Sequence, residues 1–152
     1  MIGYYNSDFE GDKGTGVSTS GYAMSLGSRA VSWRSRKQSV PAEYVAAAEA
    51  TKEIVWLRKM LEHLQVKQVQ STPLMIGNTS AIKWAKNPKF HDRTKHINAK
   101  YHLIRHHVEA KTIHLRHRST NEQIADIFTK VLGREKIERF RTMLGLTNIP
   151  LD

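Results

Sequence analysis

Residues 42–64, AEYVAAAEATKEIVWLRKMLEHL, carry the strongest structural signal in the sequence. Apolar residues recur at alternating intervals of three and four residues, namely Ala47, Ala50, Ile54, Leu57, Leu61 and Leu64. This spacing predicts one long amphipathic helix with all of them on one face. Pro41 suits its first turn, and Ser39 can cap it. The same face reaches Glu43, which is either an acid favoured by the helix dipole at the edge of the core or part of a functional site.

Short strands are predicted on both sides of this helix. In segment 3–12, acidic and amide side chains occupy alternate positions, and segments 18–27 and 28–38 carry aromatic or β-branched residues. Together these segments predict a three-stranded antiparallel meander. Residues 73–76 and 112–118 predict two more strands, and a strand that follows a long helix implies a parallel crossover. The order of elements predicts an α/β domain with a mixed five-stranded sheet.

Shorter helical patterns fill the second half of the chain. Residues 79–87 predict a short helix that Pro88 ends, and Ile97, Tyr101, Ile104 and Val108 give a second amphipathic helix. Thr120 and Gln123 fit a capping box for a helix that continues through Leu132. A last apolar stripe, ended by Gly145, consists of Ile137, Phe140 and Leu144.

Length and composition limit the classes of protein. The 152 residues suit one domain, which we expect over residues 1–146, with a flexible tail at 147–152. Cysteine is absent, and no apolar run is long enough to cross a membrane, so we expect an intracellular protein of the nucleus or cytoplasm with no membrane partner. Lys and Arg outnumber Asp and Glu by 24 to 14, which favours a polyanionic partner, although a basic surface that maintains solubility would have the same composition.

Several motifs, taken together, resemble one known family. They are GYYNSDFEGD, STSGY, LGSRAVSWRSRKQ, the 42–64 helix, NTSAIKWAKNP, FHDRTKHI, YHLIRHHVE and NEQIADIFTK. In this order they closely resemble the ribonuclease H (RNase H) domain of plant Ty1/copia-type retrotransposon polyproteins, from about Gly3 to Leu146. The resemblance implies the RNase H fold, a mixed sheet of order 3-2-1-4-5 with helices on both faces. Because Met1 stands directly before the first strand, we expect a free-standing reading frame, although a piece of a polyprotein would begin in the same way.

The resemblance also implies a site for two-metal cleavage of the RNA strand in an RNA/DNA hybrid. In the family, carboxylates from four places hold two Mg²⁺ ions about 4 Å apart. Glu43 and Asp126 match two of these positions. The first-strand pattern Y-x-D-x-D-[FW]-A-G-D places its first Asp on Asn6, however, and the Asp of C-D-N-Q-S-A falls on Gly77. Two of four metal carboxylates are therefore replaced.

These replacements predict a catalytically inactive or severely impaired domain. Asn offers one neutral oxygen and Gly none from a side chain, so we expect a loss on the order of several kcal/mol in transition-state stabilisation by metal. About six residues of the family pattern are also missing between Gln38 and Glu43, which is expected to shorten the third strand or the helix entry. We expect no cofactor, or Mg²⁺ or Mn²⁺ held by Glu43 and Asp126 if activity remains. Glu43 is expected to face Asp126 across a polar cleft.

A cluster of positive residues suggests where nucleic acid could bind. It consists of Lys83, Lys86, Lys89, Arg93, Lys95, Lys100 and Arg105. Such a surface would track phosphates and read shape and 2′-hydroxyl groups. His102 and His106 have the spacing of metal ligands, but without a third ligand nearby a solvated basic face is the preferred interpretation.

Three functions remain open from the sequence. The first is a non-cleaving RNase H-like domain that binds RNA, an RNA/DNA hybrid or a protein. The second is an active metal-dependent RNase H, and the third is a host-adopted protein-interaction module with no nucleic-acid role. The sequence does not decide the oligomeric state.

Overall fold

The computed structural model of the chain describes residues 1–8, 18–38, 42–77, 79, 82–83 and 95–147, with side chains throughout except at 38, 42–44 and 95–98. Its strands are β1 (Ile2–Asp8), β2 (Ser18–Leu26), β3 (Arg29–Gln38), β4 (Thr72–Ile76) and β5 (Ile113–His117). Its helices are α1 (Ala42–His63), α2 (Lys95–Glu109), a 3-10 helix (Ile124–Phe128) and α3 (Arg134–Met143). Within these ranges, no helix is long and apolar enough to span a membrane.

The strands form one mixed sheet of order β3-β2-β1-β4-β5, as predicted. β2 pairs antiparallel with both β1 and β3, whereas β4 pairs parallel with β1 and β5. Consequently β1, β3, β4 and β5 all run in one direction, and their carboxyl ends meet at the same end of the sheet. Residues at this end come from distant parts of the sequence, which makes it a place where a composite site can form.

One face of the sheet is covered by α1 and α2. The predicted apolar stripe of α1 is buried from Ala47 to Leu61 and packs on Tyr5, Met24 and Leu74. Leu64, in contrast, is 64% exposed, so its prediction as a core residue is wrong. The reason is that α1 ends at His63, one residue before it.

The opposite face is covered by the 3-10 helix and α3. Phe140 and Leu144 are buried there against Tyr4, Ala23 and Met75 of the sheet. The last predicted stripe is therefore confirmed for Phe140 and Leu144, while Ile137 is half-buried, and helices lie on both faces. Gly145, with φ of +70°, follows this helix in the left-handed conformation that ends many helices.

The predicted helix from Thr120 to Leu132 is wrong. The structure has a 3-10 helix over Ile124–Phe128 only, and no side chain caps it. Gln123 does not complete a capping box, because its amide nitrogen donates to the carbonyl oxygen of Met75 at 3.3 Å. Tertiary contact with the sheet thus replaces the local contact that the sequence pattern favoured.

Arg58 fixes the crossover from α1 to β4. Its guanidinium donates to the carbonyl oxygens of Gln68 at 2.5 Å and Gln70 at 2.8 Å, and to the Thr72 hydroxyl at 2.8 Å. These bonds satisfy polar groups of a connection that has no regular structure of its own. They hold the start of β4, which ends at Ile76.

Other predictions fall wholly or partly outside the described residues. These are the strand beyond Asp8, the segment that joins β3 to α1, and most of the helix at 79–87, of which residues 79, 82 and 83 are helical. β3 covers Arg29–Gln38, nearly all of its predicted segment. The predicted shortening of this strand or of the helix entry stays a prediction, because residues 39–41 of the connection lie outside the described ranges.

His107 on α2 makes the stability of the fold depend on pH. Burial lowers its pKa below the ordinary value of 6.5, and neighbouring His106 and Lys59 lower it further. The unfolded chain therefore binds this proton more readily than the folded chain. Stability is fully present above pH 6.5 and is lost as the pH falls through 6.5 towards the lower folded pKa.

We expect the urea concentration at the unfolding midpoint to be lower at about pH 5 than at about pH 7.5. His107→Gln should make this difference smaller. His102→Gln, on the exposed side of the same helix, serves as the control. If wild type and His107→Gln show the same pH dependence of the urea midpoint, His107 is not its source.

Candidate functional site

A polar cleft of about 330 Å³ lies at the carboxyl ends of β1, β4 and β5. Asn6 and Ser7 come from β1, Gly77 follows β4, and His117 ends β5. The other lining residues follow β4 or β5 in the chain and are Thr79, Thr120, Gln123, Asp126 and Lys130. The structure thus brings together three of the four predicted site positions, Asn6, Gly77 and Asp126.

Asn6 and Asp126 form a direct hydrogen bond inside the cleft. The Asn6 amide nitrogen donates to Asp126 Oδ1 at 2.6 Å and to the Thr129 hydroxyl at 3.3 Å. Because a carboxylate only accepts hydrogen bonds, the amide must present its nitrogen to Asp126. Asn6 is 8% exposed and Asp126 is 1% exposed, so this pair is screened from water.

The second oxygen of Asp126 faces two ammonium groups. Asp126 Oδ2 lies 3.4 Å from Lys136 Nζ and 3.7 Å from Lys130 Nζ. A buried carboxylate requires compensation of this kind, because leaving water without a charge partner is costly. Motif comparison found Asp126 but missed both lysines. Lys130 could have been suspected, because it lies four residues after Asp126 in ADIFTK.

The 3-10 helix positions Asp126 by lying directly against the sheet. A Cβ atom added to Gly21 of β2 would be 2.7 Å from Phe128 Cβ and 3.0 Å from Thr129 Cγ2. The Ser35 hydroxyl of β3 also donates to the Phe128 carbonyl oxygen at 2.6 Å. Glycine is therefore required at position 21 for this close approach, which brings Asp126 within reach of Asn6.

Gly77 leaves space that the Asn6 side chain occupies. A Cβ atom added at Gly77 would lie 2.9 Å from Asn6 Oδ1, closer than ordinary contacts allow. The Asn6 amide is held by Asp126 and Thr129 on its other side. The two departures from the family pattern thus fit each other, because the orientation of Asn6 accommodates glycine at 77 and disfavours a larger residue there.

The remaining predicted site residues are only partly described. Glu43 lies in the first turn of α1, but its side chain is outside the described set, so the predicted approach to Asp126 stays a prediction. Of the predicted nucleic-acid surface, Lys83 is exposed, while Lys100 and Arg105 on α2 are half-buried. Lys86, Lys89, Arg93 and the side chain of Lys95 lie outside the described residues.

The described donor set does not fit a pair of divalent ions. Mg²⁺ favours oxygen ligands with negative charge, but Asn6 directs its NH₂ group at Asp126 and Gly77 has no side chain. Two ammonium groups already lie against the second oxygen of Asp126. Among the residues with described side chains, no group of three His, Asp or Glu residues could hold a metal ion. The predicted metal role of Asp126 thus lacks support from its surroundings.

Comparisons with known proteins identify relatives and a fold. The chain is 37% identical over 96% of its length to the retrovirus-related Pol polyprotein from transposon TNT 1-94 of Nicotiana tabacum. It is 36% identical over 97% of its length to that from transposon RE1 of Arabidopsis thaliana. It spans only 11% and 10% of these relatives, respectively.

Among solved structures, an N-terminal RNase H domain from Mycobacterium tuberculosis, determined as a fusion with maltose-binding protein, matches with a TM-score of 0.58. The match covers 91% of this chain and 94% of that chain at 9% sequence identity, and at that identity it establishes the fold. No family model matches the chain.

Proposed function

We propose that this chain, which is similar to plant retrovirus-related Pol polyproteins and has the fold of an RNase H domain, is a non-cleaving RNase H-like domain that acts by binding nucleic acid. The single observation that carries the proposal is the 2.6 Å hydrogen bond from the Asn6 amide to Asp126. This bond lies where the resemblance would place two carboxylates that share metal ions. An amide in that place adds a donor and removes a charge, so it opposes the binding of divalent ions.

Charge at the same end of the sheet supports the binding part of the proposal. Arg36 and Lys37 are exposed near the carboxyl end of β3. The bond from Ser35 to Phe128 joins this part of β3 to the segment that carries Lys130. Lys130 lines the cleft, Arg36 and Lys37 lie at the same end of the sheet on β3, and the whole chain carries a formal net charge of +10. Phosphate groups are the natural counterpart of such a surface.

The binding surface is proposed to be broader than the sequence pattern suggested. The cluster between Lys83 and Arg105 remains a candidate part of it, since Lys83 is exposed. The β3 residues and Lys130 add positive charge from two other parts of the chain. An RNA strand or an RNA/DNA hybrid would be held mainly through its backbone, so affinity would depend steeply on salt and weakly on sequence.

The proposal is tested with a labelled RNA/DNA hybrid of about 20 base pairs, a length that spans two helical turns. We expect no cleavage in Mg²⁺ or Mn²⁺, for wild type and for Asp126→Asn equally. We also expect measurable binding in EDTA that weakens by about tenfold or more when salt rises from about 50 to 200 mM.

An active RNase H assayed in parallel shows that the substrate is cleavable. Turnover by the wild type that disappears in Asp126→Asn would mean that the domain is an active RNase H. Absent or salt-insensitive binding would instead favour a protein-interaction module. The cleavage and binding arms therefore test the two parts of the proposal separately.

A further inference from the structure

Lys130 occupies a fixed position at the wall of the cleft. Its backbone N–H bonds to the Asp126 carbonyl oxygen at 3.0 Å, which closes one helical turn and directs both side chains to the same side. Its ammonium nitrogen lies 3.7 Å from Asp126 Oδ2. This contact is an ion pair longer than a hydrogen bond, and an ammonium group has three N–H donors. Lys130 also lines the cleft, and its side chain is 31% exposed, so its donors can reach a ligand there.

The charge of Asp126 is compensated from within the protein. One of its oxygens accepts from Asn6, and the other faces both Lys130 and Lys136. Asp126, Lys130 and Lys136 together carry a net charge of one positive unit. Lys136 does not line the cleft, and its ammonium group lies 5.3 Å from the centre of the Phe140 ring. The surplus charge is thus presented to the cleft through Lys130.

The rest of the cleft wall offers further hydrogen-bond donors. Ser7, Thr79 and Thr120 contribute hydroxyl groups, and His117 contributes an imidazole at the end of β5. A single cation surrounded by hydroxyl and imidazole donors matches the oxygens of a phosphate group, which accept hydrogen bonds from several directions. The cleft volume, about 330 Å³, leaves room for a phosphate together with its sugar.

We infer that this cleft binds one backbone phosphate of a nucleic acid without a metal ion, with Lys130 and His117 as its principal donors. The inference rests on the proposed function and specifies how it operates. Lys130 supplies the positive charge that divalent ions would otherwise supply to the phosphate. Asp126 positions Lys130 and does not itself contact the nucleic acid.

The test measures affinity for a labelled RNA/DNA hybrid by fluorescence anisotropy. Wild-type affinity should be the same within about twofold in EDTA and in Mg²⁺ at equal ionic strength. Lys130→Gln should weaken binding by about 5- to 10-fold. The slope of log affinity against log salt should also become smaller by about 0.7 to 0.9, as expected for one lost phosphate contact.

Two matched variants separate this contact from general effects. Lys136→Gln removes the other ammonium partner of Asp126 but does not touch the cleft wall, so affinity should change by less than about twofold. Lys67→Gln, an exposed lysine paired with Glu62, controls for the loss of one positive charge. His117→Asn tests the second donor without disturbing Asp126, and it should weaken binding by about threefold. Circular dichroism establishes that each variant is folded.

The possible failures are distinguishable. If the wild type does not bind the hybrid at all, the proposed function fails together with this inference. If the wild type binds, but EDTA abolishes binding or the Lys130 and Lys136 variants lose equal affinity, the inference alone fails. An unchanged affinity in both Lys130→Gln and His117→Asn would place the nucleic acid elsewhere on the domain.

Discussion

Asn6→Asp is expected to lower the free energy of unfolding at pH 7 by about 2 to 4 kcal/mol, although it barely changes the shape of the side chain. The new carboxylate oxygen would replace an N–H donor 2.6 Å from Asp126 Oδ1 in a screened site. Two carboxylates this close cannot both ionise without large repulsion. The pKa of the introduced carboxyl should therefore rise above its ordinary value of about 3.9.

The direction of the pH effect follows from that rise. A carboxyl whose folded pKa exceeds its unfolded pKa costs no stability below about pH 3.9, and the cost grows as the pH rises through the folded value. Urea unfolding of wild type and Asn6→Asp at about pH 5 and pH 7.5 should thus show a larger difference at the higher pH. Asn121→Asp, in an exposed turn, is the control. Equal stability of Asn6→Asp and wild type at both pH values would contradict the contact between Asn6 and Asp126.

Gly21→Ala should cost about 1 to 3 kcal/mol of stability, although it adds only one methyl group. The new Cβ would lie 2.7 Å from Phe128 Cβ, 3.0 Å from Thr129 Cγ2 and 3.1 Å from the Arg34 carbonyl oxygen. β2 and β3 are paired through many backbone bonds, so the 3-10 helix is the part that must move. That movement would shift Asp126 away from Asn6.

Urea unfolding measures the cost, and hydrogen exchange locates it. The amides of Asp126, Thr129 and Lys130, which bond within the segment that carries the 3-10 helix, should exchange faster in Gly21→Ala. Gly133→Ser is the control for adding a side chain at a glycine, because nothing lies within 4 Å of a Cβ atom added there, and at this N-cap of α3 stability should be unchanged or slightly higher. If Gly21→Ala is as stable as wild type, the close approach of the 3-10 helix to β2 is not required for the fold.

Local patterns predicted most elements of this fold, and they failed where a helix end or a long-range contact decides the conformation. The stripe of α1 could be predicted because it depends only on spacing along one helix. Its end could not, because Gln65 adopts a φ of 62°, and Val66 N–H bonds back to the Leu61 carbonyl oxygen at 2.8 Å. This is a helix-ending motif that usually has glycine in the position of Gln65. Periodicity therefore predicted Leu64 as a core residue, although it follows the last residue of the helix.

Three of the four site positions were predictable from the sequence, but their interactions were not. Motif comparison identified Asn6, Gly77 and Asp126, which the structure brings to one cleft. The bond between Asn6 and Asp126 joins residues 120 positions apart, and no local pattern encodes such a contact. No local pattern encodes the contact between Lys136 of α3 and Asp126 either. The missing carboxylates of the family pattern could be recognised in the sequence. The contacts that Asn6 and Asp126 make in their place depend on the fold.

Within the part of the chain that the structure describes, β3 pairs with β2 alone, so it forms an edge of the five-stranded sheet. An unpaired edge strand can extend its sheet into another molecule, and many proteins prevent this with charged side chains along the strand. Arg29, Arg34, Arg36 and Lys37 are exposed on β3 and make two such edges repel each other. The residues that would attract a polyanion thus also oppose self-association. Removing their charge to weaken nucleic-acid binding would therefore carry a cost in solubility.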